Sequence, residues 1–396
     1  MAGNEATRAR RAADLTLAVL FVVGIALPCL GTVAGIATGG LPGENRPVAA
    51  APDFSAPAKV VRRQALAWFD DHFGFRNALV RGFGWVAFST FGASISSDVV
   101  PGREGWLFYD ADRIIESRRG LIPFTPEELA VWQANLEARR DWLAARGIRY
   151  VFAVAPEKSS LYAEYLPPSL RPIGAPTRLD QLLEWMARRS TVQALDFRPA
   201  LGAAKKRVRV YHMTDTHWND VGAFVAYRGV EAWLRTQSSA VQLLDGALFE
   251  QRVDGGTPGG DLAGMMAIAP WLHEERVMLL PKTQTPVKEL DPTEAMRRRP
   301  YLANNPPVVF ACETGELGRA VVFHDSFFLT MRPWLARHFR RSVFLPEFAP
   351  EVVLDEHPDV VIEEMVERLL SRPGFVPTAE LPDSPSPARP NRDGLR

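Results

Sequence analysis

Two short segments, well separated along the chain, together carry the parts of an activated serine nucleophile. The first, Thr214–Asn219, contains Asp215 and His217, and the second, His324–Phe327, contains Ser326. A serine hydroxyl is a weak nucleophile at neutral pH, so it needs a base to take its proton and an acid to orient that base. We therefore hypothesise that Asp215 orients His217 and that His217 activates Ser326.

Helix and strand patterns alternate around these residues. A capping box at Thr125–Glu128 predicts the start of a helix that ends near Arg146. The continuous apolar run Tyr150–Ala155 predicts a strand buried on both faces. Further strands are predicted at 192–196, 207–212, 320–323 and 342–345, and further helices at 178–189, 333–340 and 359–370. This alternation predicts an α/β domain with a largely parallel sheet flanked by helices.

Both chemical segments follow predicted strands. Asp215 and His217 come after strand 207–212, and Ser326 comes after strand 320–323. Because ligands bind at the carboxyl ends of the strands in such sheets, we expect the three side chains to meet at one edge. A serine between a strand and a helix would also place backbone N–H groups beside a developing oxyanion.

Less specific interpretations exist for each segment. Asp-Ser at a strand end is commonly a helix cap, and Asp-x-His is commonly a surface loop. His212, Asp215 and His217 could together supply metal ligands, but no His-Glu-x-x-His pattern supports them, and we expect neither a metal nor a cofactor. His324 is expected to be satisfied by a backbone group.

A third segment, Pro156–Tyr162, also follows a strand end. Either Lys158 or Tyr162 lines the same cleft, or Glu157 and Lys158 cap a helix while Tyr162 packs in the core. The glycine-rich stretch 255–264 lacks the Lys-Ser/Thr ending of a phosphate-binding loop.

Composition excludes several classes of protein. The 396 residues are 47% hydrophobic, which is typical of a globular protein, and 46 basic residues balance 46 acidic ones. This balance gives no electrostatic reason to expect a nucleic-acid partner. With only two cysteines, Cys29 and Cys312, a disulfide framework and a cysteine-based metal site are excluded.

The N-terminal region predicts a membrane anchor. Three arginines among the first eleven residues precede 15–43, which contain no charged residue. Residues 15–38 are long enough to cross about 30 Å of hydrocarbon as a helix, which would leave 1–14 in the cytoplasm and export the rest. The alternative is a cleaved signal peptide, whose apolar core is usually only about 7–15 residues long.

The composition of the chain after this apolar segment predicts a tether, a folded domain and a tail. Residues 39–59 are rich in Gly, Pro and Ala and are predicted to form a flexible tether. A catalytic domain is predicted over 60–372, with an irregular insertion at about 243–307, and a disordered tail over 373–396.

In this order, the motifs resemble the alginate O-acetyltransferase AlgX/AlgJ family of exported SGNH-hydrolase-like proteins. The resemblance covers most of the chain, and its motifs are an aromatic-Arg-Asn segment at 73–79, Gly-Trp-Leu-Phe at 105–108, Pro-Glu-Lys-Ser-x-x-Tyr from 156, Asp-Thr-His-Trp at 215–218, Gly-Asp-Leu at 260–262, Asp-Ser-Phe at 325–327 and the segment 358–369. The acid and histidine precede the serine, which is a circularly permuted order relative to ordinary SGNH esterases. His324 departs from the pattern, since a glycine commonly precedes Asp-Ser in this fold.

The resemblance implies an SGNH-like fold and a catalytic triad of Asp215, His217 and Ser326. It also implies an acetyl-enzyme that passes acetyl groups to hydroxyls of an exported polysaccharide in the periplasm, with a membrane-bound O-acyltransferase as acetyl donor. The implied type is the single-pass, inner-membrane-anchored one, acting with other polysaccharide synthesis and export proteins. Two alternatives stay open: a carbohydrate acetyl esterase with the same triad, and a non-catalytic anchored scaffold of a secretion complex.

Overall fold

The computed structural model describes residues 2–36, 40–41, 47–293, 296, 306–372 and 381–382. The chain divides into two compact units, one of 1–96 with 258–272 and one of 97–257 with 273–396. Residues of the predicted domain 60–372 therefore belong to both units. Of the predicted tether, residues 39 and 42–46 lie outside the described residues, and so does the predicted tail 373–396 apart from 381–382.

The first unit is helical. It contains α1 (Ala2–Val33), α2 (Ala58–His72), α3 (Arg76–Phe91) and a short helix at Asp261–Met265. Residues Arg10–Val33 of α1 have the length and composition of a membrane-spanning helix, and only 6% of the most apolar stretch is buried. This is compatible with a single-pass membrane anchor, because a core helix of a soluble protein would bury these side chains.

The end of α1 contacts the turn between α2 and α3. The backbone N–H of Gly74 donates to the carbonyl of Pro28 at 3.2 Å and to the hydroxyl of Thr32 at 2.8 Å. A side chain at Gly74 would lie 2.5 Å from the Cα of Gly31. Glycine at both positions thus permits this close approach.

The second unit is built on a seven-stranded sheet with the order β4-β3-β11-β9-β10-β8-β7. Five neighbouring strands, from β4 to β10, are parallel, and β8 and β7 extend the sheet in antiparallel fashion. The strands of this unit are β1 (Val99–Pro101), β2 (Leu107–Tyr109), β3 (Arg149–Ala155), β4 (Ala194–Asp196), β5 (Phe249–Pro258), β6 (His273–Pro281), β7 (Val287–Leu290), β8 (Val308–Cys312), β9 (Leu317–Phe323), β10 (Phe339–Leu345) and β11 (Val360–Val366). The predicted α/β class with a largely parallel sheet is confirmed.

Helices cover this sheet. They are α4 (Ile114–Arg118), α5 (Pro126–Ala144), α6 (Lys158–Leu161), α7 (Arg178–Arg189), α8 (Arg198–Lys205), α9 (Asp220–Gln237) and two further helices at Arg332–Ala336 and Pro350–Glu356. Alternate residues of one strand enter different cores: Val151 belongs to one apolar cluster and Phe152 to the other. Because side chains alternate across a strand, both faces of the sheet are covered by apolar side chains.

The predicted helix at 359–370 is wrong. The segment forms strand β11, in the interior of the sheet, followed by a 3-10 helix at Glu367–Ser371. Three successive β-branched residues, Val360, Val361 and Ile362, favour the strand. The adjacent Glu363 is buried in an ion pair with Arg139 and accepts the hydroxyl proton of Tyr150 at 2.6 Å, so a charged residue is accommodated inside the sheet.

The predicted strand at 207–212 is also wrong. The chain there folds back on itself, with a single bridge between Tyr211 and Trp218 and a bond of 3.2 Å from the His212 amide to the His217 carbonyl. Local backbone pairing therefore takes the place of pairing with the sheet. Asp215 and His217 lie in this folded-back loop, rather than at the end of a sheet strand.

Two other segments differ from the sequence-based prediction. The helix predicted at 333–340 ends at Ala336, because the chain enters β10 at Phe339. The segment expected to be irregular, 243–307, contains β5, β6 and β7, and β7 pairs with β8 in the main sheet.

Candidate active site

The structure brings Asp215, His217 and Ser326 together. The Nδ1 atom of His217 lies 2.7 Å from Oδ1 of Asp215, and Nε2 lies 2.8 Å from Oγ of Ser326. A carboxylate only accepts, so Nδ1 carries the proton and Nε2 presents its lone pair to the hydroxyl. The arrangement places a carboxylate, an imidazole and a hydroxyl in line, and both imidazole nitrogens are engaged in it.

The segment that carries Ser326 is held by Asp325. Ser326 is the first residue of a 3-10 helix that follows β9. The Asp325 carboxylate caps this helix by accepting the Phe327 N–H at 2.9 Å and joins it to the end of β11 by accepting the Val366 N–H at 2.6 Å. The Ser326 N–H has no hydrogen-bond partner among the described residues, as expected at a helix start, and it can therefore donate to an oxyanion.

The loop that carries Asp215 and His217 is held by Lys158. The ammonium of this buried side chain donates to the carbonyl oxygens of His212, Met213 and Asp215 at 3.1, 2.9 and 2.7 Å. Of the two alternatives from the sequence, the second agrees with the structure in that Glu157 and Lys158 stand at the start of α6 and Tyr162 packs in the core, but neither predicted the bonds from Lys158 to this loop. Lys158 fixes the loop from behind, while Tyr162 is buried and packs against Trp106 with ring centroids 4.3 Å apart.

A carboxylate from β6 holds the same loop. Glu274 accepts the N–H of Met213 at 2.6 Å and the hydroxyl proton of Thr214 at 2.6 Å. Lys158 therefore binds carbonyl groups of the loop, and Glu274 binds donors of the loop. No local motif around residue 274 indicated this contact.

Aromatic packing joins the two chemical segments. The indole N–H of Trp218 donates to the Phe327 carbonyl at 3.0 Å, and the two rings meet edge to face with centroids 5.1 Å apart. The Phe327 ring also lies 4.8 Å from the imidazole of His217. Trp218 is buried, so it positions the site rather than stacking on a ligand.

A cleft of about 330 Å³ opens beside the three residues. Its lining comprises His212, Asp215, His217, Trp218, Asp220, Arg276, Met278, Ser326, Phe327, Leu329 and Thr330. Sequence reasoning missed Arg276 and Met278. The sequence feature that groups them is the two-residue alternation along β6, which places Glu274, Arg276 and Met278 on the same face of the strand.

Arg276 is the positively charged residue of this lining. Its side chain is exposed and makes no hydrogen bond or ion pair with any other residue that the structure describes. The neighbouring His212 is largely buried, which lowers its pKa and favours the neutral imidazole. The cleft thus contains a cationic side chain in the same lining as the Ser326 hydroxyl.

Burial shifts the pKa values of two groups behind Ser326 toward their neutral forms. Burial, reinforced by the charge of Arg332, lowers the pKa of His324 to about 3. Burial and the nearby Asp325 carboxylate raise the pKa of Glu364 well above its usual range, and Glu364 accepts the Asp325 N–H at 3.2 Å. Asp325 is half-buried, and desolvation raises its pKa, while the two backbone N–H groups that its carboxylate accepts oppose that rise.

The sequence of this chain matches one known protein family. The family described as "SGNH hydrolase-like domain, acetyltransferase AlgX" matches residues 99–304. The chain belongs to this family. The match includes Asp215 and His217 and ends before Ser326.

Individual relatives agree with this assignment. The probable alginate O-acetylase AlgJ of Pseudomonas putida is 31% identical over 175 residues, which are 43% of this chain and 43% of that protein. Its counterpart in Pseudomonas aeruginosa is 30% identical over 193 residues, covering 47% of this chain and 44% of that protein. The chain therefore matches less than half the length of these curated relatives.

Solved structures were also matched. The O-acetyltransferase domain of Pseudomonas putida AlgJ aligns with a TM-score of 0.43 at 22% identity, over 69% of this chain and 92% of that one. PatB1 of Bacillus cereus aligns with a TM-score of 0.48 at 18% identity, over 69% of this chain and 96% of that one.

Proposed function

We propose that this protein is an O-acetyltransferase that carries acetyl groups on Ser326 and transfers them to hydroxyls of a polysaccharide. The observation that carries the proposal is the unbroken line of hydrogen bonds from Asp215 through His217 to Ser326, at 2.7 and 2.8 Å. Membership of the AlgX family supports acetyl transfer as the chemistry.

In the first half-reaction, Oγ of Ser326 attacks the acetyl carbonyl of the donor while Nε2 of His217 takes the hydroxyl proton. The resulting oxyanion accepts the Ser326 N–H, and Asp215 stabilises the imidazolium. The donor's leaving oxygen or sulfur departs with the proton from His217. The products of this step are an acetyl ester on Ser326 and the protonated leaving group.

In the second half-reaction, a sugar hydroxyl attacks the acetyl ester. His217 takes the proton of that hydroxyl, the bond from Oγ to the acetyl carbon breaks, and the proton passes to Ser326. The protein regains its starting state, and the sugar carries an ester. Water in place of the sugar would make the same protein an acetyl esterase.

The cleft suits an anionic sugar polymer. Arg276 lines the same cleft as Ser326, and its exposed guanidinium can pair there with a carboxylate of the acceptor. The curated relatives are named for alginate, a polymer of sugar acids. We propose a polymer of this chemical class as the acceptor.

Location and partners complete the proposal. With α1 as a single-pass anchor in the bacterial inner membrane, the second unit acts in the periplasm. Acetyl groups come from a membrane-bound O-acyltransferase, and other polysaccharide synthesis and export proteins supply the acceptor. The apolar, exposed stretch Arg10–Val33 supports the anchor.

The decisive experiment follows the acetyl group. We expect the purified protein, given an activated acetyl ester, to gain the mass of one acetyl group on the peptide that contains Ser326. Ser326→Ala should carry no acetyl group and transfer none, whereas Ser97→Ala, at an exposed serine, should behave as wild type. Full transfer by Ser326→Ala would refute the proposal.

A second measurement separates transfer from hydrolysis. With an anionic polysaccharide present, acetyl groups should appear on the polymer faster than free acetate forms. Release of acetate alone, unchanged by any polymer, would identify an esterase, and inactivity of the wild-type chain with every acetyl donor would favour a scaffold.

A further inference from the structure

Helix α3 presents an apolar stripe to its surroundings. Leu79, Phe83 and Val86, spaced four and three residues apart, are 51%, 68% and 51% exposed. This spacing places them on one face of the helix. An exposed face of large apolar side chains usually marks a surface that contacts another protein or a membrane.

The contact between α1 and the start of α3 sets the depth of this stripe relative to α1. From Arg11 to Thr32, at about 1.5 Å per residue, α1 rises about 32 Å, close to the roughly 30 Å of a bilayer's hydrocarbon. Thr32 therefore lies at the outer boundary when Arg11 lies at the inner one. Gly74, two residues before α3, is hydrogen-bonded to Thr32 at 2.8 Å, so α3 begins at that outer boundary.

We propose that the α3 stripe of Leu79, Phe83 and Val86 lies in the outer interface of the bilayer that α1 spans. Aromatic residues of the same unit agree with lipid as the occupant, since Trp85 and Trp271 are 37% and 44% exposed and meet edge to face at 5.8 Å. Indole rings favour the interface between hydrocarbon and water. The exposed Arg62 and Arg63 of α2 can pair with anionic headgroups.

The test places a fluorescent probe on either face of α3 in the full chain. Cys29→Ser with Cys312→Ser removes the native thiols, and Phe83→Cys then carries a bimane label in nanodiscs of phosphatidylcholine and phosphatidylglycerol. Nitroxide lipids labelled near the headgroup should quench this probe strongly. Arg81→Cys, on the opposite face of the same helix, is the matched control and should be quenched several-fold less.

Only variants that melt like the parent are compared. Equal quenching at both positions, or none at Phe83→Cys, would overturn the proposal. A probe at 83 that stays unquenched in lipid alone and responds only when a membrane acyltransferase is added would also overturn it, in favour of a protein partner. None of these outcomes depends on acetyl transfer.

A separate observation concerns His324. Arg332 donates from Nε to the Nε2 atom of His324 at 3.0 Å, so Nε2 is the acceptor and the proton resides on Nδ1. Nδ1 then donates to the carbonyl oxygen of Asp325 at 2.5 Å. A buried neutral imidazole thus links a guanidinium to the peptide that precedes the nucleophile.

That peptide contains the proposed oxyanion donor. The carbonyl of Asp325 and the N–H of Ser326 belong to one planar trans peptide group and point in opposite directions. Holding the carbonyl therefore fixes the direction of the N–H. Hydrogen bonds accepted by the carbonyl also polarise the group and strengthen its N–H as a donor.

We infer that His324, supported by Arg332, is a positioning residue that aims the Ser326 N–H at the oxyanion. This inference rests on the proposed acetyl transfer.

Side-chain replacements at 324 test the inference. His324→Leu removes the donor, and we expect kcat for an activated acetyl ester to fall about 10- to 100-fold with little change in KM. His324→Asn, whose amide nitrogen can take the place of Nδ1, should recover most of the activity. The apparent pKa of the pH–rate profile should stay the same in both variants.

Several outcomes separate the possibilities. If wild type is active, Ser326→Ala is inactive and His324→Leu retains full kcat, the inference on His324 fails and the proposed function stands. Equal losses in the Leu and Asn variants, in proportion to their losses of stability, would indicate a purely structural role and would also overturn it. If Ser326→Ala is as active as wild type, the proposed function itself fails.

Discussion

Charged side chains near His217 and Ser326 bind backbone atoms. Lys158 binds three carbonyls of the His217 loop, Glu274 binds donors of that loop, and Asp325 accepts two N–H groups near Ser326. Each of these charged side chains therefore holds a loop by bonding to backbone groups that the loop does not pair within itself. Buried charges are tolerated when their hydrogen bonds are satisfied in this way.

Replacing Lys158 by Met tests this role. The variant keeps the length of the side chain but leaves three carbonyls without their ammonium partner, so we expect unfolding to become easier by about 3 kcal/mol. The loop should also lose its fixed position, and acetyl-enzyme formation should fall by more than tenfold. Denaturant unfolding and rates measured well below the midpoint check both effects.

Lys206→Met is the matched control, because Lys206 is exposed. It should leave stability and rate unchanged. A Lys158→Met variant with wild-type rates would show that the loop keeps its geometry without the ammonium.

Glu364 gives a prediction about pH. Burial raises its pKa in the folded protein, so the folded state keeps a proton that the unfolded chain releases above its ordinary pKa of about 4.5. The stabilising contribution is therefore full below that pH and is lost as the pH rises through the folded-state pKa. Glu364→Gln, which stays neutral, should melt increasingly above wild type as the pH is raised.

Thermal melts across a series of buffers from pH 4 to pH 9 measure this. Glu313→Gln, at an exposed glutamate, serves as the control and should follow the wild-type curve. A constant difference in melting temperature between Glu364→Gln and wild type would contradict a raised pKa.

Among the helices and strands, the sequence predicted correctly those whose ends are marked by local sequence motifs such as capping boxes. The capping box at Thr125 begins α5, and α7 spans the predicted 178–189 because a second capping box at Thr177 fixes its start. β11 was missed because the partners of its two glutamates are distant in sequence: Glu363 contacts Arg139 and Tyr150, and Glu364 accepts the Asp325 N–H. Contacts between residues that are distant in sequence cannot be recognised from a local sequence pattern.

The same distinction applies to the site. Asp215, His217 and Ser326 could be named from residue types and order, and the structure brings them together, while their catalytic role stays a prediction. Lys158 was singled out without its role, because its three acceptors are backbone carbonyls that every residue has. Glu274 and Arg276 were missed because the alternation of side chains along β6 shows only that they share one face of the strand. It does not show that this face contacts the loop of Asp215 and His217.

The start of α9 depends on a glycine. A side chain at Gly222 would lie 2.9 Å from the Cβ of Trp218 and would overlap the carbonyl of Val210. We expect Gly222→Ala to destabilise the protein by about 1–3 kcal/mol through overpacking and to lower activity by shifting Trp218.

Gly202→Ala in α8 is the matched control, since nothing lies within 4 Å of the added carbon. There alanine should stabilise by up to about 1 kcal/mol through its higher helix propensity. Urea unfolding of the two variants should thus give opposite signs, and equal signs would contradict the packing argument.

For the whole molecule, the anchor can be tested without reference to chemistry. The exposed apolar stretch Arg10–Val33 should keep the full chain in the membrane pellet after alkaline carbonate washing. A chain that begins at Ala58 should be released by the same treatment. Recovery of the full-length chain in the supernatant, or a purified protein whose mass shows removal of the N-terminal segment, would contradict a spanning helix.

The contact of Gly31 with Gly74 has a consequence for reach. Because Gly74 bonds to Pro28 and Thr32, the chain returns at Gly74 to the end of α1, and the excursion between Val33 and Gly74 adds no distance between α1 and the start of α3. Lengthening 47–57 would enlarge this excursion at a small entropic cost and would leave the height of α3 above the hydrocarbon unchanged.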